Sequence, residues 1–194
     1  MPMFAEMPIF PMERLETDRL ILRRMDLHDA KDMFEYSRDP QVALHVLWDA
    51  HTSISESRSY IKCMMRRYRA GDPASWGIVR KDQDRLVGTI GYMWYQPENN
   101  SAEIGYSIAR DCWNQGFMTE ALAEVIRYSF ENMGMNRLEA QHEKDNPASG
   151  AVMRKNGMVH EGTLRSRLYN KGRYVDVEIY SILRQEYLSR VLNR

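Results

Sequence analysis

Hydrophobic spacing changes twice along this chain, and those changes constrain its fold more than any other feature. As far as Ala70 the apolar residues recur at three and four: Ala30, Met33, Phe34 and Tyr36 after Asp26, then Tyr60, Ile61, Met64, Met65 and Tyr68 after Ser55. That spacing places one apolar stripe on each of two helices, the first stopped at Asp39-Pro40 and the second at Gly71 and Pro73. From Trp76 the pattern becomes three runs, residues 76–79, 86–95 and 102–108, rich in β-branched and aromatic side chains. These read as strands, with turns at Asp82 and Asn99-Asn100. After Gly116 the helical period returns in Met118, Leu122, Val125, Ile126, Ser129, Phe130 and Met133.

A short strand at Leu20 to Leu22 precedes this block. A strand over 137–143, a helix over 146–156 closed by Gly157, strands over 159–168 and 174–183, and a last helix over 185–192 follow it. The order β-α-α-β-β-β-α-β-α-β-β calls for a mixed sheet covered by helices, an α/β (α+β) arrangement. With 194 residues the chain has room for one core. Residues 1–16, which hold Pro2, Pro8 and Pro11 before Arg14, read as an extended arm outside a domain of residues 17–189, with Phe4, Ile9 and Phe10 free to dock on another surface.

Charge and cysteine content narrow the partners. Lys and Arg number 27, as do Asp and Glu, so no overall field favours nucleic acid or an anionic membrane. No apolar run is long enough to span a bilayer, and the first residues lack the basic and apolar regions of a signal peptide. Cys63 and Cys112 cannot build a disulfide scaffold, and a cytoplasmic location is expected. The five histidines show no metal-ligand spacing, so no metal is expected. Phosphate-loop and Gly-x-Gly-x-x-Gly motifs are absent.

Chemistry concentrates between Glu103 and Glu120. A strand runs into the connection 110–115, and Gly116 opens the strongest helix, whose unpaired N–H groups and positive dipole end suit phosphate. The segment Trp113-Asn114-Gln115-Gly116-Phe117-Met118-Thr119-Glu120-Ala121-Leu122 resembles the acetyl-coenzyme A signature of the GNAT superfamily of N-acetyltransferases. Thr17 to Arg23, Val87 to Gly91, Ala102 to Tyr106, Asn146 to Ser149, Asn156 to Met158 and Glu161 to Arg165 carry the likeness through nearly the whole domain. Within the superfamily it is similar to the branch of ribosomal-protein N-terminal (alanine/serine) acetyltransferases.

The resemblance implies a single-domain GNAT fold: a mixed, mostly antiparallel, twisted sheet of about seven strands with helices on both faces. It implies direct acetyl transfer from acetyl-coenzyme A to a primary amine, first a protein N-terminal α-amine. The alternatives are a small-molecule amine (polyamine, antibiotic or amino acid) or a non-catalytic acyl-coenzyme A-binding module. Ile108, Asn114, Gln115, Gly116, Met118, Thr119 and Asn146 fall where the family binds coenzyme. Asn114 and Gln115 stand in place of a frequent Gly-Lys pair, which removes one cation from the loop. Glu103 occupies the position of the base in several members, and a carboxylate there takes the amine proton directly or through water. Met153 holds the position of the family's acidic tyrosine, and a thioether donates no proton; Ser149 is the replacement donor. Tyr36, Trp48 and Trp94, with Tyr95 beside them, border the expected acceptor pocket, where aromatic faces suit a cationic amine. Monomer and homodimer are both compatible.

Overall fold

A computed structural model describes residues 10–192. Eight strands form one sheet: β1 (Leu15–Glu16), β2 (Leu20–Arg23), β3 (Ser75–Arg80), β4 (Arg85–Gln96), β5 (Ser101–Ile108), β6 (Arg137–Glu143), β7 (Val159–Asn170) and β8 (Arg173–Leu183). Their order across the sheet is β1-β2-β3-β4-β5-β6-β8-β7. Every pairing is antiparallel except β5 with β6. Among the described residues there are six α-helices: α1 (Ala30–Ser37), α2 (Pro40–Ala43), α3 (Ile54–Ala70), α4 (Phe117–Glu131), α5 (Pro147–Lys155) and α6 (Arg184–Leu192).

Register sorts the side chains by face. Trp76, Ile90 and Tyr106 stand side by side across β3, β4 and β5, while their neighbours Gly77, Thr89 and Ser107 point the other way. The first face meets α4: the Trp76 ring lies edge-on to Tyr128 at 5.8 Å, and the Tyr92 and Ser129 hydroxyls bond at 2.6 Å. The second face meets α1 and α3, whose Tyr36 and Tyr60 phenols pack against Ser75, Thr89 and Ser107. At this centre of the sheet large side chains face α4, and small polar ones face the Tyr36 and Tyr60 phenols.

Two expectations change. An eighth strand exists because Leu15–Glu16 pairs with Ile21 and Leu22, and Phe10, Met12 and Leu15 are buried in the same core as Leu20 and Trp76. This part of the expected arm therefore packs into the domain: Phe10 meets the rings of Tyr92 and Tyr95 at 5.1 and 5.3 Å. Its apolar side chains cover the end of the sheet, which a reading based on proline alone does not register. Phe4 and Ile9 lie outside the described residues. Asp39-Pro40, expected only to end a helix, also starts one: Asp39 Oδ1 accepts the Gln41 amide at 3.0 Å and Pro40 takes the first helical position, where its missing N–H costs nothing.

The feature that positions the site is a fork. β5 and β6 pair only over Ser101–Glu103 against Arg137–Glu139. Beyond that point each is held by its outer neighbour, β4 or β8, and the two part. A cleft of about 350 Å³ opens at the fork on the α1/α3 side.

Candidate active site

At one end of the fork lies the start of α4. Gly116 is its N-cap at φ 79°, no side chain caps the helix, and the first helical bond runs from the Glu120 amide to Gly116 O. The amides of Gly116, Phe117, Met118 and Thr119 therefore lack acceptors in the helix. Asn114 is also left-handed, at φ 59°, so the turn that delivers these free amides carries left-handed backbone at two of its residues. Phe117 and Met118 anchor the turn by burying their side chains, while Trp113 to Gln115 stay exposed.

Side chains from distant segments brace this loop. Glu120 accepts bonds from the Thr17 hydroxyl (2.5 Å), the Arg19 amide (2.9 Å) and Arg19 Nε (2.6 Å). Arg19 also donates to Gln115 O at 2.9 Å, and the guanidinium groups of Arg19 and Arg80 lie over the Phe117 ring. Two cations thus flank a turn that lacks the family's lysine. Gln115 Nε2 donates to Asp111 O (2.5 Å), Trp113 Nε1 donates to Ile108 O (3.0 Å), and Thr119 O accepts from Asn156 (3.2 Å). Asn146 caps α5 by accepting the Ser149 amide at 3.4 Å.

Glu103 stands where the strands part. Its Oε2 accepts from Trp94 Nε1 at 2.7 Å and its Oε1 from Gln141 Nε2 at 3.0 Å. Burial pushes this carboxyl above the ordinary glutamate range; the two hydrogen bonds oppose the rise, and the nearby Glu139 charge adds to it. Trp94 is thus the support of Glu103 and does not appear among the cleft walls. Tyr95 turns away, packing on Phe10 and donating to Asn100. Tyr36 and Trp48 do line the cleft, joined by Tyr60 and His51.

The opposite face of β5 supplies a group that motif reading missed. Tyr106 reaches α5: its hydroxyl lies 2.9 Å from Ser149 Oγ and donates to Ser149 O at 3.1 Å. Burial drives the Tyr106 phenol well above its ordinary value, so it stays protonated. Met153 is buried and supplies no donor. A phenol is therefore present beside Ser149, contributed by the strand instead of the helix. Its signal was the alternation along β5, which puts Tyr106 on the face opposite Glu103.

The cleft's roof, residues 45–51, is tied down by polar contacts. Buried Glu143 accepts from His45 Nδ1 at 2.9 Å and Asn170 Nδ2 at 2.5 Å. Lys171 Nζ donates to the carbonyls of Val46 and Trp48, both at 3.0 Å. The β7–β8 turn thereby holds the segment carrying Trp48. Among the described residues no group of His, Cys, Asp and Glu is placed to hold a metal, and no helix is long and apolar enough to cross a membrane.

Residues 19–159 match the acetyltransferase (GNAT) domain family. The chain belongs to the GNAT acetyltransferases and is an acyltransferase of the N-acetyltransferase class. Its relatives include N-acetyltransferase p20 of Bacillus licheniformis, 36% identical over 91% of this chain and 99% of that protein. The ribosomal-protein-serine acetyltransferase of Escherichia coli is 31% identical over 51% of this chain and 55% of its own length. Among solved structures, RimL, a ribosomal L7/L12 α-N-protein acetyltransferase in complex with coenzyme A, superposes with a TM-score of 0.80 at 24% identity, covering 88% of this chain and 98% of that one.

Proposed function

We propose that this enzyme transfers the acetyl group of acetyl-coenzyme A directly to an α-amine at a protein N-terminus, with Glu103 as the base. The observation that carries the reading is Glu103 itself: a half-buried carboxylate at the fork, held by two neutral donors, with desolvation pushing it above the ordinary glutamate range, the direction that makes a carboxylate a better base. An α-amine, at about 7.7 to 8.0, gives up its proton to a carboxylate more readily than a lysine-like amine at about 10.4. The names of the ribosomal-protein relatives support the same acceptor.

In this reading the free amides of Gly116, Phe117, Met118 and Thr119, with Asn114 and Gln115 shaping the turn, receive the pyrophosphate, and Arg19 supplies the charge that the absent lysine does not. Ile108 and Asn146 flank the pantetheine arm. The acceptor amine enters past Tyr36 and Trp48, gives its ammonium proton to Glu103 and attacks the thioester carbonyl; the second nitrogen proton passes to the thiolate sulfur as the tetrahedral adduct collapses. As the carbon–sulfur bond breaks, the Tyr106–Ser149 pair donates a hydrogen bond to the departing thiolate. Thiolate leaves readily near neutral pH, its conjugate thiol having a pKa of about 8.5, so only modest help is required there.

The cleft volume of about 350 Å³ also suits a small amine, at the lower end of ordinary ligand sites, roughly 300 to 1,000 Å³. Thiol release measured over N-terminal peptides, polyamines and amino acids separates the two. Turnover of peptides above all small amines is expected, and turnover confined to small amines would overturn the proposed acceptor.

A further inference from the structure

Glu143 ends β6 on the same face as Gln141, the residue that bonds to Glu103. Two residues of strand separate them, about 7 Å. Glu143 is only 4% exposed, and both of its oxygens are in use: Oε2 accepts from His45 Nδ1 at 2.9 Å and lies 3.6 Å from Arg173 Nη2, while Oε1 accepts from Asn170 Nδ2. With the carboxylate accepting, His45 Nδ1 carries the hydrogen. In the neutral imidazole Nε2 is then left as a bare lone pair.

That lone pair is unused. Among the described residues nothing donates to His45 Nε2, and the atom is open to solvent, whereas the unpartnered Nε2 of His142 is sealed. His45 and Glu143 both line the cleft that contains Glu103. His51, a further histidine of the lining, spends its Nδ1 on the Ser57 hydroxyl and has no carboxylate bonded to its ring.

A fixed lone pair takes a hydrogen-bond donor. A second ammonium is disfavoured here, because Arg173 stands beside Glu143 and Lys171 is held on the carbonyls of Val46 and Trp48; the anions that pair with these two, Asp145 and Asp49, are exposed. A neutral N–H meets no such repulsion. An extended peptide has the same repeat of about 7 Å per two residues as the strand, so a chain with its amine at Glu103 carries its later N–H groups along β6 toward His45.

We propose that His45, oriented by Glu143, accepts a hydrogen bond from a backbone N–H of the acceptor, so that the cleft reads a peptide beyond its reacting amine. This rests on the reading of the cleft as the acceptor site. His45 positions the acceptor and takes no proton from it.

The test changes substrate and enzyme together. kcat/KM is measured for Ser-Ala-Ala-Ala and for the peptides methylated singly on each of its backbone amide nitrogens, in the wild type, His45→Asn and His45→Gln, with folding checked by thermal melting. Asparagine keeps a donor near the place of Nδ1 and removes Nε2; glutamine brings a carbonyl oxygen near the place of Nε2. At one position the methylation loss should be about three- to tenfold larger in the wild type than in His45→Asn, the worth of one neutral hydrogen bond, and His45→Gln should restore part of the difference. A purely structural role would lower every peptide alike. Methylation losses that are the same in the wild type and His45→Asn at every position would overturn the inference. If the peptides are not acetylated, the protein N-terminus reading falls, and calorimetric binding of the same peptides to the coenzyme A-loaded enzyme decides the site: a methylation loss that depends on His45 upholds it, and none overturns it.

Discussion

The two ends of the fork are built from different material. On the proposed coenzyme side the groups offered are mostly backbone: unpaired amides at the start of α4, with Gly116 and Asn114 in left-handed conformations. On the proposed acceptor side they are side chains, Glu103, Tyr36, Trp48 and Glu143, contributed by strands, a helix and a loop far apart in sequence. A backbone site depends on one local conformation, and many side chains can change without loss. A side-chain site depends on each residue and on whatever holds it. Substitutions should therefore separate the ends: a change at the α4 turn alters coenzyme affinity, and a change at the cleft alters turnover or acceptor KM.

The largest effect should come from Glu103→Gln. General-base contributions are typically about 10² to 10⁴ in rate, so kcat at pH 7 should fall at least 10²-fold while calorimetric coenzyme affinity stays the same. Higher pH should recover part of the loss as the amine sheds its own proton. Stability carries a second signature. Because the folded carboxyl titrates above its ordinary value of 4.5, the folded state binds this proton more tightly, and stability is lost as pH rises from the unfolded value through the raised folded one. A glutamine side chain does not titrate, so thermal scans of the mutant should lack that part of the decline. Wild-type turnover in Glu103→Gln would return the residue to a structural role and break the contrast between the two ends.

Gly116→Asp comes next and tests the other end. It puts a Cβ on a residue at φ 79°, beside the Arg19 guanidinium, and a carboxylate where the pyrophosphate is proposed to lie. Opposed like charges cost several kcal/mol, so the dissociation constant should rise by about 10²-fold or more. Residual turnover at saturating coenzyme should keep the wild-type acceptor KM. An unchanged affinity would move the anion site away from α4.

Ser149→Ala and Tyr106→Phe should act less strongly. Each removes one neutral hydrogen bond, a contribution of about 0.5 to 1.5 kcal/mol, so turnover should drop about three- to tenfold. Since the hydroxyls lie 2.9 Å apart, the double mutant should lose less than the product of the single effects. Strict multiplicativity would show that they do not act as a pair.

The same contrast explains what could be read from sequence. The α4 turn was legible because glycine at the head of an amphipathic helix is a local signal, and the β6 boundaries, Arg137–Glu143, agree with the expected strand. Glu103 was recognisable by its place in a strand motif. Arg19 was not identified, because its approach to Gln115 depends on how β2 lies against α4. Tyr106 was also missed: Met153 at the expected position drew attention to α5, although the phenol comes from β5. Trp94 was expected in the pocket wall but bonds to Glu103; the register shift between Tyr92 and Trp94 alters which way the strand's side chains point. A two-residue strand such as β1 leaves no periodic signal at all.

The smallest expected effect lies in the roof, where the contrast is most exacting. Lys171 joins the β7–β8 turn to Val46, Trp48 and Asp49, and Asp49 is largely exposed, so the ion pair itself contributes little. What matters is the pair of backbone carbonyls that Lys171 holds, which fix the segment bearing Trp48. Lys171→Met keeps most of the aliphatic stem and removes the donors, so the segment loses one restraint and keeps the Glu143–His45 tie, the Asn170 bond to Val46 O and the His51 bonds to Ser37 and Ser57. Acceptor KM should rise about threefold, the equivalent of one modest hydrogen bond, with kcat and coenzyme affinity unchanged. Lys171→Arg, which retains donors and charge, should recover much of that. A rise in coenzyme dissociation constant equal to the rise in acceptor KM would mean that the roof serves both ends of the fork, and that the two sites are not separable as their construction suggests.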